Sequence, residues 1–283
     1  MARRVSSGID AAIHAVFQDF IHEQRLAVLA SVDAEGRAWA SLVTGAPGFM
    51  RVEDDHTVHL NTVISDLDVL RSNLSINLML GMLVIDFSTR RRIRLNGTGH
   101  LDDDGTLRLT TQEVYGNCQK YIQARTELPL RPADVPTTPT LTITTSLNAS
   151  QQRWLSQADT FFIASYMPSR GADASHRGGQ PGFVHVLDDH TLEFPDYAGN
   201  MMFNTLGNLA ANPRAGILLL DFDTGSVLQL TGHVIIHWEP ASLQRHLGSQ
   251  RVIEFRIAEV REITHAVPLR FKFLSYSKFN PTT

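Results

Sequence analysis

Ser175-His176-Arg177-Gly178-Gly179 sets a hydroxyl and a guanidinium two residues apart, followed by two glycines. In an extended strand alternate side chains face opposite sides, so Ser175 and Arg177 project together and His176 projects away. A guanidinium offers planar, paired donors to an anion, and glycines let a ligand come close to the backbone. The same string also fits a hairpin end with a surface arginine. A second segment, Phe194-Pro195-Asp196-Tyr197-Ala198-Gly199-Asn200, reads as a loop leading from a strand into a helix, where free N–H groups favour anions. It fits an ordinary tight connection equally well. The third is Tyr115-Gly116-Asn117-Cys118-Gln119-Lys120-Tyr121-Ile122. Cys118 has no base beside it in sequence and reads as a small packed hydrophobe, while Lys120 and Tyr121 read as polar contacts to a ligand.

Other chemistries find little support. The histidines show no HxxxH or HExxH spacing, so no metal site is expected. There is no G-x-G-x-x-G, P-loop or G-x-S-x-G string, and one cysteine cannot form an internal disulfide. A formal charge of −4 gives no reason to expect nucleic acid or an acidic membrane surface as a partner. The one basic cluster, Arg90-Arg91-Arg92 with Arg94, reads as a solvated hairpin turn. No apolar run approaches the roughly 18 residues of a membrane span, and the start lacks the apolar stretch of a secretory signal. A soluble, cytoplasmic protein acting on a small molecule is the expectation.

The elements that must position these segments occur twice. Residues 47–60 read PGFMRVEDDHTVHL and residues 181–194 read PGFVHVLDDHTLEF, identical at eight of fourteen positions. Asn73-Leu74 recurs as Asn208-Leu209, Asp86-Phe87 as Asp221-Phe222, and Gly99-His100 as Gly232-His233. A spacing held near 134 residues marks a tandem duplication. The copies differ where it counts: Ser41-Leu42-Val43 stands in the first and Ser175-His176-Arg177 in the second.

Apolar residues at helical spacing predict a helix over 9–24, capped by Ser7 or Asp10, and others over 67–78, 148–157 and 202–211. Between them, β-branched runs broken by turn residues predict antiparallel strands. They fall at 26–32, 38–44, 48–52, 57–61, 82–86, 93–102 and 107–113, and again from 161, 172, 182, 191, 215, 226 and 250. The expected domains are residues 1–125, a Thr/Pro-rich semi-rigid linker at 126–147, and residues 148–283. Closed barrels would leave no exposed strand edges.

The run ASHRGGQPGFV at 174–184, with TLEFPDYAGNMMFNTLGNLAAN at 191–212, resembles the pyridoxamine 5′-phosphate oxidase-like FMN-binding split-barrel family. Asn117-Cys118-Gln119-Lys120-Tyr121 also resembles that family's Asn-Cys-Pro-Lys-Tyr run, with Gln119 in place of proline. The resemblance implies a mainly β chain of two tandem six-stranded antiparallel split barrels with short flanking helices, packed as an internal pseudo-dimer. It implies FMN held by Ser175, Arg177 and Asn200 at the phosphate, with Pro195, Asp196 and Tyr197 along the isoalloxazine. Asn204, Asn208 and Gln229 would complete the polar ring, and Asn117, Lys120 and Tyr121 would reach in from the first repeat. It further implies an FMN-dependent oxidoreductase working by hydride or two-electron transfer at N5. The alternatives are a flavin- or haem-binding module without catalysis and an F420-dependent reductase. The family's C-terminal arginine–histidine–arginine element is missing, as is its Arg-Lys pair at the phosphate, so the vitamin B6 reaction is not implied. The difference between the copies predicts one flavin per chain, and two chains could associate as split barrels commonly do.

Overall fold

Leu26–Val32 (β1) is buried along its whole length because both of its faces meet apolar surface. Ala27 and Leu29 point into a core belonging to the first repeat. Leu26, Val28, Ala30 and Val32 point the other way, into a core shared by both repeats. Thr160–Met167 (β10) does the same, with Phe161 and Ile163 in the second repeat's core and Phe162, Ala164 and Tyr166 in the shared one. A strand buried on both sides reads as a continuous apolar run, as these two do. The computed structural model describes residues 9–116, 118–130, 138–199, 204–239, 246 and 248–281.

In the first repeat β1 is joined by Ala38–Thr44 (β2), Met50–Asp54 (β3), Thr57–Leu60 (β4), Met79–Asp86 (β5), Arg91–Leu101 (β6) and Leu107–Gly116 (β7). Their antiparallel order is β2-β1-β5-β6-β7-β4-β3. Ala124–Glu127 (β8) and Thr140–Thr144 (β9) follow. The second repeat has β10, Gly171–Gly178 (β11), His185–Val186 (β12), Thr191–Tyr197 (β13), Arg214–Leu220 (β14), Val227–His237 (β15) and Ser249–Thr264 (β16). Its order, β11-β10-β14-β15-β16-β13-β12, is the same path. The chain is mainly β and tandem, as expected, but each path has seven strands rather than six because the short hairpin partners β3 and β12 extend it.

The expected linker is partly strand. β8 pairs with Phe271–Ser275 (β17), and β9, an alternation of threonine with leucine and isoleucine, pairs with β16. These are residue types that suit a half-covered sheet edge.

The described helices are Ala15–Glu23 (α1), Leu70–Ile76 (α2), Ala149–Gln157 (α3) and Asn204–Ala211 (α4). α1 starts later than its periodicity predicts because Asp10 exchanges backbone hydrogen bonds with Val114 of β7. Asp10 is therefore not its cap; His14 stands there without a side-chain bond. Asn148 caps α3 in a reciprocal box with Gln151. No described helix is long and apolar enough to cross a membrane.

The two repeats touch through glycines in matching places. A Cβ on Gly81 of β5 would lie 2.7 Å from the Ala172 carbonyl oxygen of β11, and one on Gly216 of β14 would lie 2.6 Å from that of Ala38 on β2. Turn features repeat too: the N–H groups of His56 and His190 each donate to the aspartate two residues back, at 2.8 Å. Bulges at Asn96/Gly97 and Thr231/Gly232 make Gly97, not Gly99, the counterpart of Gly232. With that register Arg92 corresponds to Val227 and Arg94 to Gln229.

Candidate functional site

A cavity of about 120 Å³ lies where the strands of the two repeats meet. β6 of the first repeat contributes Arg92 and Arg94, which share one strand face. β11 of the second contributes Ser175, His176, Arg177 and Gly178. The end of β13 adds Pro195, Asp196 and Tyr197, and the turn after β7 adds Cys118, Lys120 and Tyr121.

Three guanidiniums converge here. Arg94 is buried, donating through Nη1 to Asp173 Oδ2 at 3.1 Å and through Nη2 to the Ser175 hydroxyl oxygen. Asp173 also accepts from Tyr115 Oη at 2.8 Å and Thr205 Oγ1 at 2.9 Å, so its carboxylate is fully engaged. Arg177 pairs with Asp196 at 3.1 Å, and Arg251 reaches the other oxygen of that carboxylate at 2.8 Å. Burial lowers the Arg177 pKa against the pull of Asp196. Arg92 differs: its hydrogen bond goes to the His176 carbonyl, at 3.4 Å. Among the described residues no carboxylate lies within ion-pair distance of it. Burial, with Arg94 and Arg177 close by, pulls its pKa down to about 9. A partly buried cation between two others is costly unless an anion joins them.

The cavity lining also has an aromatic part. Tyr121 and Tyr197 approach with ring centroids 5.2 Å apart, and Tyr121 Oη donates to the Ala198 carbonyl at 2.9 Å. Lys120 Nζ donates to the same carbonyl at 3.4 Å. Tyr121 has φ +65°, a left-handed conformation rare for a bulky residue.

Of the residues singled out from sequence, Ser175, Arg177, Pro195, Asp196, Tyr197, Lys120 and Tyr121 meet around this cavity. Pro195, Asp196 and Tyr197 do so from a strand, not from the loop expected, because β13 runs on along β16 to Tyr197. Asn204 and Asn208 border a separate small cleft with Asp173, and Asn208 Nδ2 donates to Ser165 at 3.3 Å. Gln229 lies away from the cavity, fully buried and donating to the Ala40 carbonyl at 2.8 Å. Its strand is the counterpart of β6, so it faces the matching place on the other side of the molecule. Asn117 and Asn200 fall outside the described residues.

Arg92, Arg94 and Thr205 were missed. The arginine run is a turn only at its start: Arg90 lies in the β5–β6 hairpin and Arg91 is exposed, whereas β6 begins at Arg91 and carries Arg94 to 7% exposure. The signal was present in Arg92-Ile93-Arg94-Leu95-Asn96, a strand alternation with every polar residue on one face. The histidines also organise more than spacing suggests. The ligand atoms of His185, Glu193 and His246 lie within 4.8 Å of one another, with His185 and Glu193 paired across β12 and β13.

The duplicated sheets agree with the comparison to known families. A model described as pyridoxamine 5′-phosphate oxidase matches residues 13–136 and again residues 147–264. The chain belongs to this family. Among curated proteins no sequence matches it. Similar solved structures include HupZ of Group A Streptococcus, at 10% identity and TM-score 0.32, covering 46% of this chain and 98% of that one. The FAD binding protein from Mycobacterium smegmatis is 13% identical, with TM-score 0.31 and coverage of 43% and 97%. A structure named F420 Reductase is 16% identical, with TM-score 0.29 and coverage of 38% and 94%.

This member of the pyridoxamine 5′-phosphate oxidase family carries two unequal versions of the cavity. The matching cleft on the other side measures about 50 Å³ and is lined by Leu42, Val43, Val63, Leu70 and Val227 among others. Strand register pairs Leu42 and Val43 with His176 and Arg177. Val227 takes the place of Arg92, and Gln229 that of Arg94. One cavity is lined by guanidiniums; the other has none in its lining and sets Thr44, Ser65 and Asp68 among aliphatic side chains.

Proposed function

We propose that the chain is an FMN-binding flavoprotein with one cofactor per chain, held in the cationic cavity. Arg92 carries this reading: among the described residues no carboxylate pairs with it, and it lines the cavity with Arg94, Arg177 and Ser175. That donor set fits a phosphate, which can accept from several guanidinium N–H groups at once. Ser175 Oγ already accepts from Arg94, leaving its O–H to donate outward.

Tyr121 and Tyr197, their rings tilted by 34°, and Pro195 offer an apolar wall for an isoalloxazine. Lys120 and the Asp196 pair with Arg177 and Arg251 fix the polar rim. FMN, when bound, supplies hydride or two-electron chemistry at N5. The protein's part is to bind, orient and keep water from the ring, and the substrate is a small organic molecule. The activity is that of an FMN-dependent oxidoreductase.

The test is native purification followed by absorption spectroscopy and fluorescence titration of the stripped protein with FMN, riboflavin, F420 and haem. The reading expects a flavin spectrum, one FMN per chain, and riboflavin much weaker because it lacks the phosphate. Arg177→Ala should cost about 1.5–3 kcal/mol of FMN affinity, the range for a hydrogen bond to a charged group. A protein that takes up haem or F420 but not FMN would refute it.

A further inference from the structure

The smaller cavity holds a carboxylate, Asp68, at a position whose sequence counterpart in the second repeat is uncharged. Asp68 Oδ1 accepts from Ser41 Oγ at 2.6 Å and from the Leu70 N–H at 2.8 Å, and Oδ2 accepts from Gln229 Nε2 at 2.9 Å. These donors are not arbitrary. Ser41 is the counterpart of Ser175 and Gln229 of Arg94. Asn73 and Asn208, which make matching bonds to Ser31 and Ser165, align Leu70 with Thr205. The same alignment makes the uncharged Phe203 the sequence counterpart of Asp68. Ser41 and Gln229 are both fully buried, so neither donor can turn to solvent if the carboxylate leaves.

We propose that the cavity bordered by Val227 is a second oxyanion site, which the chain keeps filled with its own Asp68 carboxylate. The duplication would have produced two anion sites. In one, Arg94 and Thr205 take the internal Asp173 carboxylate and leave Arg92 and Arg177 to meet an anion from solution; in the other, the matching Gln229 and Leu70, with Ser41, take the carboxylate of Asp68. The ligand class of the second site is a small carboxylate-sized oxyanion, because valines stand in the places of Arg177 and Arg92, and Arg261, whose charge acts on Asp68, is already paired with Glu259. Burial raises the Asp68 pKa, and the bonds from Ser41, Leu70 and Gln229, with the Arg261 charge, offset that rise only in part. The proposal shares the anion chemistry read for the first cavity, but its test does not use FMN, so either can fail alone.

Chemical rescue provides that test. In Asp68→Gly the three donors are left facing a carboxylate-sized gap. Its melting temperature should fall below that of the wild type, and sodium formate should raise it saturably, by about 2–4 °C more than it raises the wild type at matched ionic strength. Adding Gln229→Leu should abolish the extra shift. Equal responses of Asp68→Gly and wild type to formate would overturn the proposal. If Asp68→Gly is recovered insoluble, its refolding yield in formate against chloride gives the same decision: a higher yield in formate supports the site, and equal yields overturn it.

Discussion

Arg94 of the first repeat and Asp173 of the second form a buried ion pair, Nη1 to Oδ2 at 3.1 Å, that links the two repeats beneath the cationic cavity. Burial works against the Arg94 charge, but Asp173 and Tyr115 more than offset it and raise its pKa. Tyr115 is raised as well, by burial and then by the Asp173 charge, so it stays protonated and donates to that carboxylate.

Removing one partner strands the other. Asp173→Ala should lower stability by about 3–5 kcal/mol, the usual cost of an uncompensated buried charge. Arg94→Met combined with Asp173→Ala should lose much less than the sum of the singles, because neither charge is then left alone. Urea midpoints of the four proteins measure both quantities. Additive losses would show that the pair does not couple the repeats.

Arg92 should behave in the opposite way, mattering to the ligand more than to the fold. Arg92→Gln should cost about 1.5–3 kcal/mol of FMN affinity and leave riboflavin affinity unchanged. Its pKa of about 9 adds a pH signature. An anion beside the guanidinium favours the charged form, so FMN binds most tightly below about pH 9 and weakens as pH rises through it. Titrations at pH 7, 9 and 10 on wild type and Arg92→Gln check this, and parallel curves would count against Arg92 as a phosphate ligand.

The repeat, the strand alternations and the Ser175–Arg177 pair were legible because each depends on local periodicity or on matching strings. The role of Arg92 and Arg94 was hidden by their neighbours: Arg90 and Arg91 make the run look like a charged turn, and only strand pairing shows that β6 starts inside it. Gln229 was misplaced for a related reason. It sits on the strand that matches β6, and which side of a pseudo-symmetric molecule a residue faces depends on packing between repeats. The bulge before Gly97 and Gly232 sets the correspondence of Arg94 with Gln229, and the sequence match alone placed that glycine two residues late.

The closeness of the repeats gives a contrast among glycines. Gly81→Ala and Gly216→Ala would each push a Cβ against backbone of the facing repeat, at 2.7 and 2.6 Å from a carbonyl oxygen. Overpacking against backbone should cost about 1–3 kcal/mol at each position. Gly207, within α4, has open space around a new Cβ, so Gly207→Ala should stabilise the protein by about 0.5–1 kcal/mol. Thermal melts of the three variants should therefore move in two directions.

His176 supplies an acid-sensitive component of stability. It is 3% exposed, its ring meets Phe162 edge-on at 6.0 Å, and Arg92, Arg94, Arg125 and Arg177 all act on it. Burial first, and then those four cations, hold its pKa well below the ordinary value. The folded ring thus stays neutral, while in the unfolded chain it takes a proton near pH 6.5. Below about pH 6.5 the unfolded state binds the extra proton, so the stability present above that pH is lost as pH falls toward the folded pKa. The slope of this one group approaches about 1.4 kcal/mol per pH unit. His176→Leu should remove that slope, leaving the contribution of the other histidines. Urea midpoints from pH 7.5 to 5 on both proteins measure the difference, and identical slopes would mean that the ring charges in the fold after all.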